Sequence, residues 1–328
     1  MNWFNKIKSM IVGDSPTQRP DSPTILDQQV DYNTYTPEQI FEEWEEIEKK
    51  APAFIRRFVK NIDEKTRLGY WMTMVHPEQY TYKNPDLFQT LVCNAEKRCI
   101  DNEDFRSICE KIDLDVSRTL VDDKDMTDDK RLDLRDILRT FAILIPRTGY
   151  CQGMSFLAGQ ILLITDHVED TLWIFTYFMK DLNLYGLFCD GIPLLKFSIF
   201  CIEYVINKKC PAITQYLNKE NTSLLIICNQ WLTALFSINF RKDVTLKIWD
   251  MFLLEGFVYL VKISCALLLI HQQVFSGPLD QCIHNIRQAT LNDTWKMICD
   301  SADGVVFSEK ELKECKISYD QLNRQPNL

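Results

Sequence analysis

The chain of 328 residues has 46% hydrophobic and 25% charged side chains, which are the proportions of an ordinary globular protein. Its formal net charge of −9 at pH 7 argues against a surface that neutralises phosphates, so no nucleic acid is expected among its partners. Glycine contributes only 10 residues, against a usual share of about 7%, and strands joined by tight turns need more of it. The composition therefore favours helices.

Twelve cysteines and four histidines are the side chains that could form disulfides or bind a metal. No two cysteines are spaced as Cys-x-x-Cys, and the histidines have no tandem ligand spacing, so no metal site is expected. The N-terminus lacks the apolar segment of a secretory signal. These observations predict reduced thiols and a cytoplasmic protein.

The N-terminal segment, residues 1–13, is predicted to form a short amphipathic helix that ends at a glycine. Its apolar side chains recur at helical spacing over residues 1–12, and lysines lie beside them. Peripheral contact with a membrane surface is one interpretation, and packing of this helix onto the main domain is the other. Residues 14–35 have the composition of a flexible linker, so the globular domain is expected over 36–320 with a tail at 321–328.

Helical spacing of apolar residues continues almost throughout the chain after Thr36, which opens a sequence similar to a capping box. No segment of useful length alternates as a strand does, and no repeat of about 20–50 residues occurs. The predicted fold class is all-α. The predicted helices cover Pro37 through Ile47, 63–75, Asn84 through Val92, 102–118, 131–145, 150–164, 168–182, 194–207, 222–236, 243–254, 258–273, 280–288 and 307–316.

The apolar stretch from Met251 to Ile270 is long enough to raise the question of a membrane span. Glu255, Gly256 and Lys262 interrupt it. Charged side chains are costly inside a membrane, so we interpret the stretch as two buried helices with a short connection.

Glycine-rich phosphate loops are absent from the sequence, which contains neither G-x-x-x-x-G-K-[ST] nor G-x-G-x-x-G. Ser155 follows Gly153, but Leu157 stands where a nucleophile elbow has its second glycine. The sequence therefore predicts no self-contained hydrolase site.

Two segments carry distinctive polar residues. In the first, Asp115 and Arg118 are separated by one i, i+3 step on a predicted helix, and alone they could be a surface ion pair worth roughly 0.2–0.5 kcal/mol. In the second, Tyr150 and Gln152 lie among glycines at the entrance of an apolar helix. Alone, that pattern could serve close helix packing.

Together these segments resemble the TBC domain family of Rab GTPase-activating proteins. The family pattern IxxDxxR matches the first segment, YxQ within GYxQGM matches the second, and RxxxW matches an upstream position. The residues that carry the resemblance are Arg67, Trp71, Ile112, Asp115, Arg118, Thr119, Gly149, Tyr150, Gln152 and Gly153.

The resemblance implies an all-α TBC (Rab-GAP) domain of two helical subdomains, and it extends over roughly residues 50–320. It also implies a protein that binds a Rab-type small GTPase in its GTP-bound state and accelerates GTP hydrolysis. Arg118 would supply an arginine finger and Gln152 a glutamine finger in trans, which are the cation and the water-orienting group that this reaction needs. GTP and magnesium stay with the partner GTPase, so no cofactor of its own is expected.

The resemblance assigns supporting roles to the neighbouring residues. Asp115 would orient Arg118, while Tyr150 with Gly149 and Gly153 would set the loop that carries the glutamine. The other residues assigned to supporting the site are Ile112, Thr119, Arg67 and Trp71. The implied role is regulation of vesicle trafficking, in the cytoplasm or peripherally on endomembranes.

Two departures from the family pattern and two rival functions stay open. An acidic run at 122–129 follows the arginine and is expected to form a solvated loop that could tune the choice of partner. The residues Asn61 to Glu64 replace a Gly-Ile-Pro type entry. One rival is a catalytically idle TBC scaffold that acts as a Rab effector or adaptor, and the other is a helical scaffold unrelated to GTPases. The intact finger residues favour the activator.

Overall fold

Helices account for all regular secondary structure in the residues that the computed structural model describes, which are 30–76, 86–238 and 240–324. Seventeen α-helices and no strand lie in these ranges, so the all-α prediction is confirmed. The predicted amphipathic helix at 1–13 lies outside the described residues. The described part of the predicted linker contains a 3-10 turn at Tyr32–Thr34.

Four helices open the larger unit of the chain, which begins at Pro37. The predicted helix from Pro37 through Ile47 is divided in two, because Glu43 leaves helical geometry with a ψ of 17°. Asp63 caps the fourth helix by accepting a hydrogen bond from the Thr66 N–H at 2.8 Å. The helices are α1 Pro37–Glu42, α2 Trp44–Lys50, α3 Pro52–Lys60 and α4 Glu64–Val75.

The next group of helices is α5 Leu87–Asp101, α6 Glu103–Arg118, α7 Asp128–Leu144, α8 Met154–Thr165 and α9 Val168–Thr176. Helix α7 is central, because it packs against each of the other four. Its Leu134, Ile137 and Leu138 are fully buried, and its Phe141 meets Phe175 of α9 edge-on with ring centroids 4.7 Å apart. Burial of each such side chain contributes about 1.5–3 kcal/mol.

The remaining helices are α10 Pro193–Lys209, α11 Pro211–Lys219, α12 Leu225–Thr233, α13 Lys242–Glu255, α14 Phe257–Ile270, α15 Leu279–Thr290, α16 Trp295–Asp303 and α17 Glu309–Arg324. Helix α14 is central here and packs against α10, α12, α13 and α16. Gly256 joins α13 to α14 with φ 60° and ψ −146°, a conformation that essentially requires glycine. The apolar stretch is thus the predicted helix pair, and no helix in the described ranges is long and apolar enough to cross a membrane.

Three helices, α3, α11 and α16, were not predicted from the sequence. Each has nine residues and completes only about two and a half turns. Helices α9 and α12 are equally short but lie within the longer predicted stretches 168–182 and 222–236. Helix α17 runs to Arg324 and so continues past residue 320, the predicted end of the domain.

The acidic run at 122–129 is a loop only in its first part, which corrects the prediction of a solvated loop. Met126 is buried, and the Thr127 hydroxyl caps α7 by accepting a hydrogen bond from the Lys130 N–H at 3.3 Å. The two aspartates after Thr127 form the first turn of α7, where carboxylates interact favourably with the helix dipole. This segment therefore helps to begin α7, the next helix after α6.

Candidate functional site

Arg118 is the last residue of α6, and its guanidinium donates a hydrogen bond from Nη2 to Oδ1 of Asp115 one turn earlier. The Arg118 side chain is 55% exposed, whereas the Asp115 side chain is only 7% exposed. Ile112 lies fully buried on the same helix and anchors this face in the core. The structure thus gives an exposed cation that is held by a buried carboxylate.

Tyr150 holds the other oxygen of that carboxylate. Its hydroxyl donates a hydrogen bond to Oδ2 of Asp115 at 2.6 Å. Burial, together with the bond to Asp115, raises the pKa of the Tyr150 phenol well above its usual range, so the group stays a donor at neutral pH. Both oxygens of Asp115 are occupied, and the carboxylate is fixed in orientation.

Thr119 joins this site to helix α8. Its hydroxyl donates to the backbone oxygen of Asp115 at 2.7 Å and lies 2.8 Å from the hydroxyl of Ser155. Thr119 and Ser155 are both fully buried. The contact of Ser155 with Thr119 could not be predicted from the sequence, because nothing local shows that α8 packs against the end of α6.

Gln152 lies in a short loop between α7 and α8, and its side chain is exposed. Gly149 and Gly153 flank it with φ of 57° and 99°, in the left-handed region that glycine adopts without steric cost. Gly153 also delays the start of α8 to Met154, so the predicted helix over 150–164 begins late. The same loop carries Tyr150, which links it to Asp115.

Arg67 and Trp71 belong to a second buried network, which joins α4 to α13. The Arg67 Nε lies 3.1 Å from both carboxylate oxygens of Asp250 on α13, and the Trp71 indole N–H donates to Oδ1 of Asp250 at 2.8 Å. The Tyr70 hydroxyl donates to the Asp250 backbone oxygen at 3.0 Å. These hydrogen bonds lead to Asp250 and not to Asp115, so the predicted support of the site by Arg67 and Trp71 remains a prediction.

Asp250 is a residue that sequence analysis did not assign. Burial raises its pKa to about 6, although Arg67 and Trp71 act in the opposite direction. The signal that could have found it is the pattern at Arg67, since an arginine on a buried helical face needs an acidic partner.

The outer face of α6 presents an open depression of about 430 Å³ one turn before Arg118. It is lined by Glu110, Asp113, Leu114 and Ser117. Leu114 is exposed here. In the described ranges, no three His, Cys, Asp or Glu side chains are grouped so that they could hold a metal ion.

The site residues lie within the segment that known proteins share with this chain. A family model described as the Rab-GTPase-TBC domain matches residues 64–275, which is more than half of the chain. The chain is 23% identical over 245 residues to the GTPase-activating protein GYP5 of Saccharomyces cerevisiae, and 23% identical over 223 residues to TBC1 domain family member 2A of Homo sapiens. These matches cover 74% and 66% of this chain but 25% and 23% of those proteins. The chain therefore spans about a quarter of the length of these curated relatives.

Two solved structures share the fold. The Chlamydomonas flagellar RabGAP TBC domain aligns with a TM-score of 0.66 at 17% identity, over 81% of this chain and 90% of that chain. The Ypt/Rab-GAP domain of Gyp1p aligns with a TM-score of 0.61 at 16% identity, over 88% of this chain and all of that chain. Identities this low establish the fold alone, and the fold is that of these domains.

Proposed function

This chain belongs to the Rab-GTPase-TBC domain family, and from that membership we propose that it activates a Rab-type small GTPase. It binds the GTP-bound state of the partner and accelerates GTP hydrolysis there. The single observation that carries the proposal is the geometry of Arg118, an exposed guanidinium that a buried carboxylate anchors at the end of a helix. This arrangement suits a cation that must meet a second anion on another molecule.

Arg118 acts as the arginine finger in this proposal. Charge develops on the phosphate oxygens as GTP is hydrolysed, and a small GTPase alone lacks a cation at that point. The guanidinium is planar and carries five N–H donors, so Asp115 can hold one edge while the others face the phosphates. Fixing the cation before docking avoids an ordering cost during the reaction.

Gln152 acts as the second finger and orients the attacking water through its side-chain amide. Its exposure and the glycines around it leave this side chain accessible to a docked partner. The hydrogen bond from Tyr150 to Asp115 connects the loop of Gln152 to the helix of Arg118. GTP and magnesium are held by the GTPase throughout, and the chain contributes no cofactor.

The proposed cellular role is regulation of vesicle trafficking from the cytoplasm, with peripheral contact at endomembranes. Contact through residues 1–12 remains a prediction, because this segment lies outside the described residues. The names of the relatives, which include a GTPase-activating protein, support the biochemical part of the proposal.

Phosphate release from a panel of GTP-loaded Rab proteins tests the proposal. We expect the wild-type chain to accelerate at least one of them, and Arg118→Lys to lose about 10³–10⁵ of that acceleration, or roughly 4–7 kcal/mol, because lysine lacks the planar fork. Gln152→Ala should also lose acceleration. The melting temperature should stay near that of the wild type for both variants, because both side chains are exposed.

Arg287→Lys provides the matched control. Arg287 is an exposed arginine in the last turn of α15, outside the segment that the family model matches, so this variant should retain full acceleration. Acceleration that survives in Arg118→Lys contradicts the finger assignment. Wild-type protein that binds a GTP-loaded Rab without accelerating hydrolysis would instead support an idle scaffold or effector.

A further inference from the structure

The turn that follows Arg118 has a strained backbone. Leu120 has a φ of 49°, in the left-handed region where helices usually place glycine after their last turn. A leucine side chain is disfavoured there, so such a conformation persists only when neighbouring groups hold it. The contacts that hold this turn also fix the end of the helix that carries the arginine.

Arg131, near the start of α7, supplies two of these contacts. Its Nη1 donates to the backbone oxygen of Val116 at 2.8 Å and to that of Thr119 at 2.7 Å. These two carbonyl groups flank Arg118 in the sequence. The Val116 oxygen also accepts the Thr119 N–H at 3.2 Å. Carbonyls in the last turn of a helix lack the usual i+4 partner and carry partial negative charge, so a guanidinium is a favourable cap.

Helix α8 closes the turn from another side. Gly159 faces it so closely that a Cβ atom there would lie 3.2 Å from Cγ2 of Thr119 and 3.3 Å from Cδ1 of Leu120. The Thr119 hydroxyl also lies 2.8 Å from that of Ser155 on the same helix. The turn is therefore enclosed by packing against α8, while Arg131 provides its charged cap.

We propose that Arg131 is a positioning residue for the arginine finger. It has no bond to the Arg118 side chain. It acts through the backbone on both sides of Arg118, and so sets the direction in which the finger leaves α6. This inference rests on the proposed function and adds to it, because a displacement of about 1 Å at a reacting group can cost up to about a hundredfold in rate.

Steady-state GTP hydrolysis with a responsive Rab, measured for Arg131→Met and Arg131→Lys, tests the inference. We expect Arg131→Met to lower kcat by about tenfold or more while KM for the GTPase changes less than about twofold, since the docking surface is intact. Arg131→Lys should recover part of the rate, because an ammonium group can reach one of the two carbonyls. Hydrogen exchange should become faster at the backbone amides of residues 119–123 in Arg131→Met.

Arg139→Met is the matched control. Arg139 also lies on α7 and also reaches α6, but it binds the carboxylate of Asp113 at 2.8 and 2.7 Å, away from the helix end. This variant should lose thermal stability and keep its kcat. A positioning role predicts that only the Arg131 variants change kcat.

The possible outcomes separate the two proposals. Wild-type acceleration that persists in Arg131→Met overturns the inference and leaves the proposed function intact. An equal loss of kcat in Arg139→Met also overturns it, because general loosening between α6 and α7 would then explain both. A wild-type chain that accelerates no Rab overturns the proposed function, and the inference falls with it.

Discussion

Two aspartate–arginine pairs in this molecule differ in how much of the arginine reaches solvent. Asp115 and Arg118 are three residues apart on one helix, with side chains 7% and 55% exposed. Asp250 and Arg67 are 183 residues apart on two helices, with side chains 0% and 6% exposed. Both acids are buried, so the exposure of the cation separates the pairs. An exposed guanidinium keeps N–H groups for another molecule, whereas a buried one stabilises the fold.

The two acids otherwise have similar partners. Tyr150 donates an O–H to Asp115 at 2.6 Å, and Trp71 donates an indole N–H to Asp250 at 2.8 Å. Each carboxylate therefore binds one arginine and one aromatic donor. Because the two carboxylates bind the same kinds of donor, the pairs differ in where each arginine lies in the fold. One lies at a helix end beside an exposed loop, and the other lies between two helices in the core.

The largest expected effect on stability comes from the buried pair. Arg67→Met should lower the free energy of unfolding by about 3–5 kcal/mol, because it leaves the Asp250 carboxylate buried without its cation. Chemical denaturation followed by tryptophan fluorescence and circular dichroism measures this loss. A loss below about 1 kcal/mol would show that water or another donor replaces the arginine. The Arg67–Asp250 pair would then contribute little to the stability of the fold.

The free energy of unfolding should depend on pH through Asp250 of the buried pair. Burial raises the pKa of Asp250 to about 6 in the folded chain, whereas an unfolded aspartate titrates near about 3.9. Between these values the folded form binds the proton and the unfolded form does not. This group therefore contributes stability that grows as the pH falls through about 6 and is lost as the pH rises through it.

Asp250→Asn removes this titration and serves as the reference. The unfolding free energy of the wild type, relative to Asp250→Asn, should rise by about 1.4 kcal/mol when the pH is lowered from about 7.5 to about 5. Denaturation curves of both proteins at each pH measure the difference. A difference that falls instead would show that Arg67 outweighs burial and depresses the pKa of Asp250.

Local sequence rules located α6 well and three of the short helices poorly. The prediction of 102–118 differs by one residue from α6, because its apolar stripe repeats over several turns. The nine-residue helices α3, α11 and α16 complete only about two and a half turns each, and they were missed. Leu120 was also unpredictable, since a left-handed residue at a helix end is expected to be glycine.

The same limit applies to the site. The pairing of Asp115 with Arg118 follows from i, i+3 geometry within one helix, so the sequence alone could predict it. The bond from Tyr150 to Asp115 joins residues 35 positions apart, and it depends on how α6 packs against the loop before α8. The resemblance to a family could imply such a link, but no local rule could derive it. Asp250 stayed unassigned for this reason, because its partners lie on a distant helix.

The smallest expected effect is on stability at the exposed pair. Arg118→Met should lower the free energy of unfolding by only about 0.2–1 kcal/mol, because water can reach Oδ1 of Asp115 once the half-exposed arginine is removed. Tyr150 keeps its bond to the other oxygen, and methionine retains the apolar stem. Denaturation under the conditions used for Arg67→Met gives a direct comparison.

This small effect matters most for the interpretation of activity. If Arg118→Met loses GTPase activation while its unfolding free energy changes by less than about 1 kcal/mol, the arginine acts on the partner and not on the fold. A loss of stability as large as that of Arg67→Met would mean that both arginines hold the fold together. The exposure of Arg118 would then not explain its function, and inactivity of its variants could follow from unfolding.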